Sequence, residues 1–461
     1  MTALVVRSSF GTSITRYARS RGLWLLLLAG PVGARFMVAR DDGSGVQIAI
    51  GRHLPVMTSA VLGVSLGIVV STLLLPIGFL YLRSNVTRRQ PWQIEEVAPA
   101  SRVAIALGRF GADVAVLLAM LLTLTLAGWF LGWLIVSGPL DVVQVSWTLW
   151  LIAAPAVVGL AAVHRLLDAR PLTRGGLGDL VFFIVWMTSI AMPAAVQHRP
   201  SSLATNLFDF PGFVRPLTGP VVEAGQDFAI GSSDVLPGRV PLDVMVGIGA
   251  PGYVASRLVW ALIAVALTIL AGLLYRPHVP RRRRRWGNVV ARMLSPGAPP
   301  AVLPSAPHAG FVSPALIWLV MGEFRLIGAG RPFKMLAIAA ACVGVAGDYR
   351  HVGSPAAVLL LVFALVAHAG RSEAKELLAL TRTAPLAPWM RRVAFVMAGA
   401  AWAVLLAVPA AVLRMSPDPI LLTALMVTIA ALVAIVLAML SHSAFAARLV
   451  LLALWYVFLS S

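Results

Sequence analysis

The segment from Arg83 to Arg109, RSNVTRRQPWQIEEVAPASRVAIALGR, is a charged stretch between two long apolar runs. A second stretch on the same plan, RSEAKELLALTRTAPLAPWMRR, extends from Arg371 to Arg392. Both begin with Arg-Ser, continue through helix-forming residues that include glutamate, reach Ala-Pro, and pass through arginine into a new apolar run. Because proline stops a helix and basic amphipathic helices bind membrane surfaces, each charged segment is predicted to be a short surface helix. Two such segments predict a chain built from two related halves.

The composition around these segments indicates a membrane protein. Hydrophobic residues make up 59% of the 461 residues and charged residues 12%, whereas soluble domains carry about 25% charged residues. The net charge of +19 does not point to nucleic acid, because the arginines lie between apolar runs, where they set orientation. The single cysteine, Cys342, excludes an internal disulfide and a cysteine metal cluster. The predicted fold class is an all-α polytopic membrane protein.

The apolar runs predict about 11 transmembrane helices (roughly 10–12), since a bilayer needs about 20 apolar residues per crossing. Residues 1–21 are predicted to be an elbow helix on the cytoplasmic surface. The next run, LWLLLLAGPVGA, resembles a signal peptide but is interpreted as an uncleaved first span. The arginine-rich loops place the N-terminus in the cytoplasm and the chain in the cytoplasmic (inner) membrane. The predicted spans are 22–39, 55–82, 103–136, 146–166, 178–197, 253–275, 332–348, 354–369, 390–414, 418–440 and 445–460.

The same pattern predicts three regions. Residues 1–285 form the first half, with an elbow, six spans and an extracellular loop over 198–252. Residues 286–312 are a proline-rich cytoplasmic linker, and residues 313–461 form a second half with its own elbow and about five spans. Each charged segment is predicted to be a cytoplasmic coupling helix.

Short motifs in the charged segments resemble those of ABC-2-type exporter permeases. In that family a glutamate-containing helix after the second span is followed by a proline-centred turn with small residues and arginine, and then by Gly-Arg or Gly-Lys. The first segment matches this pattern at Glu95, Glu96, Ala98, Pro99, Ser101, Arg102, Gly108 and Arg109, and the second resembles it at Glu376, Leu377, Leu378, Ala384, Pro385, Trp389 and Arg391. The second segment lacks the Gly-Arg ending. Family permeases are often half-size and pair as dimers, whereas this chain carries two halves in tandem.

The resemblance implies a permease subunit that moves its substrate outward. The middle of most spans is alanine, leucine, valine and isoleucine with glycine, which suits an apolar or amphiphilic substrate. Because the chain has no P-loop motif, ATP and Mg²⁺ are expected on partner ATPase subunits, one for each charged segment. No cofactor is expected in this chain, and the fused halves make a permease dimer unnecessary. Membrane lipid is an expected partner and nucleic acid is not. The implied coupling residues are Arg88, Arg89, Glu95, Glu96, Pro99, Arg102, Glu376, Leu377, Leu378, Pro385 and Arg391.

No catalytic or metal-binding constellation stands out, because the histidines are scattered and an HExxH motif is missing. The chain is therefore predicted not to be an enzyme. Asp113, Asp179, His164 and Arg257 lie near predicted span ends, where water or headgroups are expected to reach them. The loop motif LFDFPGF is predicted either to cap the exit of the pathway or only to pack the loop onto the membrane, through Phe208, Phe210 and Phe213.

Two alternatives stay open. A secondary transporter also uses repeats but needs a buried ion-coupling carboxylate, and the sequence predicts none in mid-span. A polytopic enzyme acting on lipid-linked substrates needs clustered polar residues in a mouth loop. The loop carboxylates are widely spaced, at Asp209, Asp227, Asp234 and Asp243.

Overall fold

The computed structural model describes residues 2–35, 48–88, 100–170, 173, 176–192, 199–223, 228–230, 236–275, 315–329, 331–369, 388–441 and 444–460. The chain divides into two compact units, Met1–Pro280 and Arg281–Ser461. The predicted linker over 286–312 lies outside the described residues, as do residues 89–99 of the first charged segment and residues 371–387 of the second.

The first unit consists mainly of helices. The first four are α1 (Thr2–Ala18), α2 (Gly22–Arg35), α3 (Ser59–Val69) and α4 (Leu75–Arg88), and a π-helical turn (Val70–Leu74) joins α3 to α4. They are followed by α5 (Arg102–Ile135), α6 (Val142–Asp168), α7 (Gly176–Ala191), α8 (Leu203–Leu207), α9 (Val214–Glu223), α10 (Val244–Ile248) and α11 (Tyr253–Leu274). The core forms where α5 and α6 pack against each other and against α3 and α11.

Small residues let these helices approach closely. Gly63 and Gly67 lie one turn apart on α3 and face α6. A Cβ atom at Gly67 would lie 2.8 Å from Cγ2 of Ile152, and one at Gly63 would collide with the hydroxyl of Thr148. Small residues at this spacing are typical of helix contacts in membranes, where van der Waals packing replaces the hydrophobic effect.

Short strands connect the segment before α3 to the long loop before α11. Strand β1 (Ile48–Ile50) pairs antiparallel with β3 (Phe228–Ile230), and β2 (Leu54–Pro55) pairs parallel with β4 (Arg239–Val240). These pairings join the loop to the segment that precedes α3, while α8 packs on α11 and α10 contacts α3.

The second unit contains α12 (Ala315–Ile327), α13 (Arg331–Ala346), α14 (Ser354–His368), α15 (Pro388–Arg414), α16 (Asp418–Ser441) and α17 (Ala444–Ser460), with a π-helical turn (Tyr349–Gly353) before α14. Its core is rich in alanine and leucine from α14, α15 and α16. At its edge the hydroxyls of Tyr349 and Thr423 share a buried hydrogen bond of 2.6 Å.

The all-α membrane fold class is confirmed. Six helical segments among the described residues are long and apolar enough to cross a membrane, namely Ser59–Asn85, Arg102–Ile135, Val142–Asp168, Tyr253–Leu274, Trp389–Arg414 and Asp418–Ser441. Four further apolar helices are shorter: Gly22–Arg35, Val181–Ile190, Phe333–Ala346 and Ser354–His368. The count of about 11 spans and the kinship of the two halves stay predictions.

Candidate functional site

A buried carboxylate in α5 holds three helices of the first unit together. The hydroxyl of Tyr17, on α1, donates a 2.6 Å hydrogen bond to Oδ1 of Asp113. Arg165, near the end of α6, donates from Nε and Nη2 to the two carboxylate oxygens, both at 2.7 Å. The ring nitrogen Nδ1 of His164 lies 3.0 Å from Oδ2. A bidentate arginine–carboxylate contact fixes the relative orientation of the two side chains and also pairs their charges.

These groups are withdrawn from solvent. Asp113, Tyr17 and His164 each have 0% exposure. Burial, reinforced by the Asp113 carboxylate, raises the pKa of the Tyr17 phenol, so this hydroxyl stays protonated and donates. His164 Nε2 is also buried and has no hydrogen-bond partner among the described residues. A buried pair of this kind is costly to break, because the remaining charge would be left uncompensated.

A second set of contacts continues from the same end of α6. Arg83, on α4, donates from Nε to Oδ1 of Asp179 on α7 at 2.8 Å. Its Nη1 lies 3.7 Å from Oδ1 of Asp168, the last residue of α6. We name these seven residues the ionic joint: Tyr17, Arg83, Asp113, His164, Arg165, Asp168 and Asp179.

In sequence, two members of the ionic joint lie on either side of residues 89–101 of the first charged segment. Helix α4 ends at Arg88 and α5 begins at Arg102, so the chain between them contains the predicted coupling helix. Both flanking helices are attached to the end of α6, α4 through Arg83 and α5 through Asp113. The helices before and after residues 89–101 therefore share polar contacts with one end of α6.

The predicted elbow helix, α1, packs on α5 along one face that is formed by two serines and a tyrosine. Ser9, Ser13 and Tyr17 are its buried positions, four residues apart. The Ser9 hydroxyl donates to the carbonyl of Ile105 at 3.1 Å. A Cβ atom at Gly108 of α5 would lie 2.8 Å from Cβ of Ser9. The glycine of the predicted Gly-Arg motif thus makes room for α1.

In the second unit, the predicted elbow helix α12 packs through different contacts. Helix α12 packs on α15 through Phe324 and Trp402, whose rings stack with centroids 4.5 Å apart. Nε1 of Trp402 also donates to the carbonyl of Phe324 at 2.9 Å. Gly328, just after α12, lies against the Trp402 ring, where a Cβ atom would collide with it.

The described residues include few of the predicted coupling residues. Arg88 ends α4, and Arg391 is exposed in the first turns of α15. Arg102 is exposed at the start of α5, where its Nη1 donates to the carbonyl of Tyr275 at 3.2 Å. The remaining predicted coupling residues lie outside the described residues: Arg89, Glu95, Glu96, Pro99, Glu376, Leu377, Leu378 and Pro385.

The expectation that water or headgroups reach the ionisable residues near span ends is wrong for Asp113, His164 and Arg257. Their exposed fractions are 0%, 0% and 1%. Helix α1 covers Asp113, and the folded 198–252 loop covers Arg257, so contacts distant in sequence produce the burial. The prediction that no carboxylate lies in mid-span stays a prediction, because Asp113 lies in the first third of the segment Arg102–Ile135. Asp179 is half-buried and bound by Arg83.

The long loop has its own buried polar network. Asp209 accepts hydrogen bonds from the backbone N–H groups of Gly212, Val214 and Arg215 at 3.0–3.1 Å. Arg257, on α11, donates to the carbonyl of Phe210 at 3.0 Å. Burial raises the pKa of the Asp209 carboxyl, against the opposing effect of the Arg257 guanidinium and these N–H donors. The network fixes the loop over α11.

The three loop phenylalanines lie in different surroundings. Phe213 is buried, Phe210 packs edge-to-face on Trp260 with ring centroids 4.8 Å apart, and Phe208 is 44% exposed. Their proposed role as an extracellular gate stays a prediction. Asp243 caps α10 by accepting from the N–H of Met245, while Asp227 and Asp234 lie outside the described residues. In the part of the chain that the structure describes, no three His, Cys, Asp or Glu side chains are grouped to hold a metal ion.

Sequence reasoning missed Tyr17, Arg83, Arg165 and Asp168 as partners in one site. An aspartate inside an apolar run was the available signal, because such a group must find a cation or donors. No protein-family model matches the chain, and neither curated proteins nor solved structures give a match.

Proposed function

We propose that this chain is the transmembrane permease subunit of an ABC exporter, powered by ATP hydrolysis on separate subunits. The observation that carries the proposal is the ionic joint, which fastens both helices flanking the first charged segment to the end of α6. A partner that displaces the charged segment would therefore move α4, α5 and α6 together. Rigid displacement of packed helices is a common way to convert a local push into a change across a domain.

The predicted elbow helix, α1, is also attached to the ionic joint. Because Tyr17 donates to Asp113, α1 follows the position of α5. Movement of the charged segment would then also move the predicted elbow helix α1 at the membrane surface. The positions of α1 other than Ser9, Ser13 and Tyr17 are mostly exposed.

The second unit has the same order of elements around its charged segment. Helices α14 and α15 flank residues 370–387, and α12 packs on α15 as α1 packs on α5. This correspondence supports two coupling points, each docked by one ATPase subunit. The direction of transport rests on the resemblance to ABC-2-type permeases. The apolar or amphiphilic nature of the cargo rests on the alanine, leucine, valine, isoleucine and glycine that make up the middle of most spans.

Affinity purification tests the proposal. The tagged full-length chain would be expressed with its whole native locus and purified in mild detergent, followed by mass spectrometry and an ATPase assay. We expect a stoichiometric ATPase that is lost from the combined Glu95→Lys, Glu96→Lys and Glu376→Lys variant. Glu223→Lys, in the long loop, is the matched charge reversal and should retain the ATPase. A preparation without ATPase would overturn the proposal.

A secondary transporter is the second candidate, and the buried Asp113 favours it. An ionisable pair such as Asp113 and His164 inside a span is typical of proton-coupled carriers. Arg165 argues for a structural role, because its bidentate contact engages both oxygens of the carboxylate. A pure preparation that lacks ATPase, together with substrate uptake driven by a proton gradient and abolished in Asp113→Asn, would favour the carrier.

A further inference from the structure

A small cleft opens beside the ionic joint, between α5, α6 and the end of α11. Its volume is about 40 Å³, enough for roughly three water molecules. Arg102 and Arg109 line it from α5, Arg165 and Asp168 from α6, and Tyr275 from the residue after α11. The space is therefore the size of a single compact polar group.

The cleft wall carries excess positive charge. Three guanidinium groups line it against one carboxylate, that of Asp168. The charge of Arg165 is compensated by its bidentate contact with Asp113, outside the cleft lining. Arg102 and Arg109 are seven residues apart, which places them on one face of α5. Arg102 is exposed at the mouth, whereas Arg109 is only 8% exposed and lies deeper.

The shape of the cleft is set by close helix packing. A Cβ atom at Gly272 of α11 would lie 2.7 Å from Cα of Val103, so only glycine permits this approach of α11 to α5. The approach brings the carbonyl of Tyr275 to 3.2 Å from Nη1 of Arg102. This hydrogen bond to Tyr275, just after α11, orients the Arg102 side chain at the mouth of the cleft.

The cleft lies at the ends of three candidate membrane spans, where lipid headgroups are expected. The three segments that form it are candidate spans, and it sits where Arg102–Ile135 begins and where Val142–Asp168 and Tyr253–Leu274 end. In sequence, Arg276 follows Tyr275 directly. Arginines near the membrane surface attract anionic lipids.

We propose that this cleft binds a phosphate group, and that the group belongs to the headgroup of an anionic phospholipid. Arg109 donates to phosphate oxygens at the base and Arg102 at the mouth, since the guanidinium fork matches phosphate geometry. The inference stands on the cleft alone and is independent of the ATPase proposal.

Native mass spectrometry of the purified full-length chain in detergent tests the site. Phosphatidylglycerol is added in one arm, phosphatidylcholine in a second and inorganic phosphate in a third. We expect wild-type protein to prefer phosphatidylglycerol, and Arg109→Gln to bind it about tenfold more weakly, as for a lost charge-assisted hydrogen bond. Arg7→Gln removes the same charge from an exposed position on α1 and should leave the affinity unchanged.

Two further variants separate the cleft from general electrostatics. Ala106→Leu fills the cleft without changing charge, and Arg102→Gln alters only its exposed mouth; both should weaken the first bound lipid. If Arg109→Gln fails to fold, these two variants decide the question. Inorganic phosphate that binds to wild type and displaces no lipid would assign the cleft to free phosphate. Equal lipid affinity in wild type, Arg102→Gln and Ala106→Leu would overturn the proposal.

Discussion

The two predicted elbow helices pack on their neighbours with different chemistry. In the first unit, the Tyr17 phenol of α1 donates to the Asp113 carboxylate of α5, and Arg165 of α6 pairs with the same carboxylate. In the second unit, α12 is attached to α15 by the stacked rings of Phe324 and Trp402. One attachment depends on a carboxylate that belongs to a buried ion pair and the other on apolar contact area.

The difference determines how each attachment responds to change. When one partner of a buried ion pair is removed, the other keeps its charge without compensation, so the loss is large. When part of an aromatic contact is removed, only the area and the hydrogen bond belonging to that part are lost. The first unit should therefore respond abruptly and the second gradually.

The largest effect is expected at Asp113. Asp113→Asn leaves Arg165 buried without its counter-charge, at a cost of about 3–5 kcal/mol in the free energy of unfolding. Denaturant titration of the full-length chain in detergent micelles measures the change. Asp418→Asn, at the exposed start of α16, is the control and should have little effect. Equal losses in both variants would mean that the carboxylate does not hold the joint.

Glycine at the α1–α5 contact gives the next test. A Cβ atom at Gly108 would meet the backbone oxygen of Val6 at 2.5 Å, so Gly108→Ala should destabilise by about 1–3 kcal/mol through overpacking. Gly11, on α1, has open space around its Cα, and Gly11→Ala should stabilise the helix by roughly 0.5–1 kcal/mol. Thermal unfolding of the two variants should give shifts of opposite sign. Shifts of the same sign would contradict this seating of the elbow.

The smallest effect is expected in the second unit. Trp402→Phe keeps a ring for stacking on Phe324 but loses the indole N–H donor, at a cost of about 0.5–1.5 kcal/mol. Denaturant titration is again the measurement, with Trp389→Phe, at a 61% exposed position, as the control. A loss from Trp402→Phe that exceeds the loss from Asp113→Asn would reverse the comparison between the two elbows.

Helix positions could be predicted closely because they depend on local composition. The third predicted span, 103–136, became α5 at Arg102–Ile135, and the sixth, 253–275, became α11 at Tyr253–Leu274. Uninterrupted apolar runs flanked by charges leave little freedom in where a membrane helix begins and ends. Of the first predicted span, 22–39, the structure describes residues 22–35, and all of them lie in α2 (Gly22–Arg35).

The contents of the candidate site could not be predicted in the same way. Asp113 lies 96 residues from Tyr17 and 52 from Arg165, and no local pattern links them. His164 and Arg165 are adjacent at the end of an apolar run, where they resemble an ordinary basic flank. The network forms only in the folded structure, where α1 packs on α5 and Tyr17 contacts Asp113.

The amino-acid sequence by itself determined that the chain is helical and suited to a membrane, because both properties follow from the length and composition of each apolar run. It also located the two charged segments. The tertiary structure decided which polar groups are buried and paired, including the ionic joint, the loop network around Asp209 and the arginine-lined cleft. Those features depend on helices distant in sequence meeting at one place, and the pairing energy of a charged group depends on its final neighbours and solvent access.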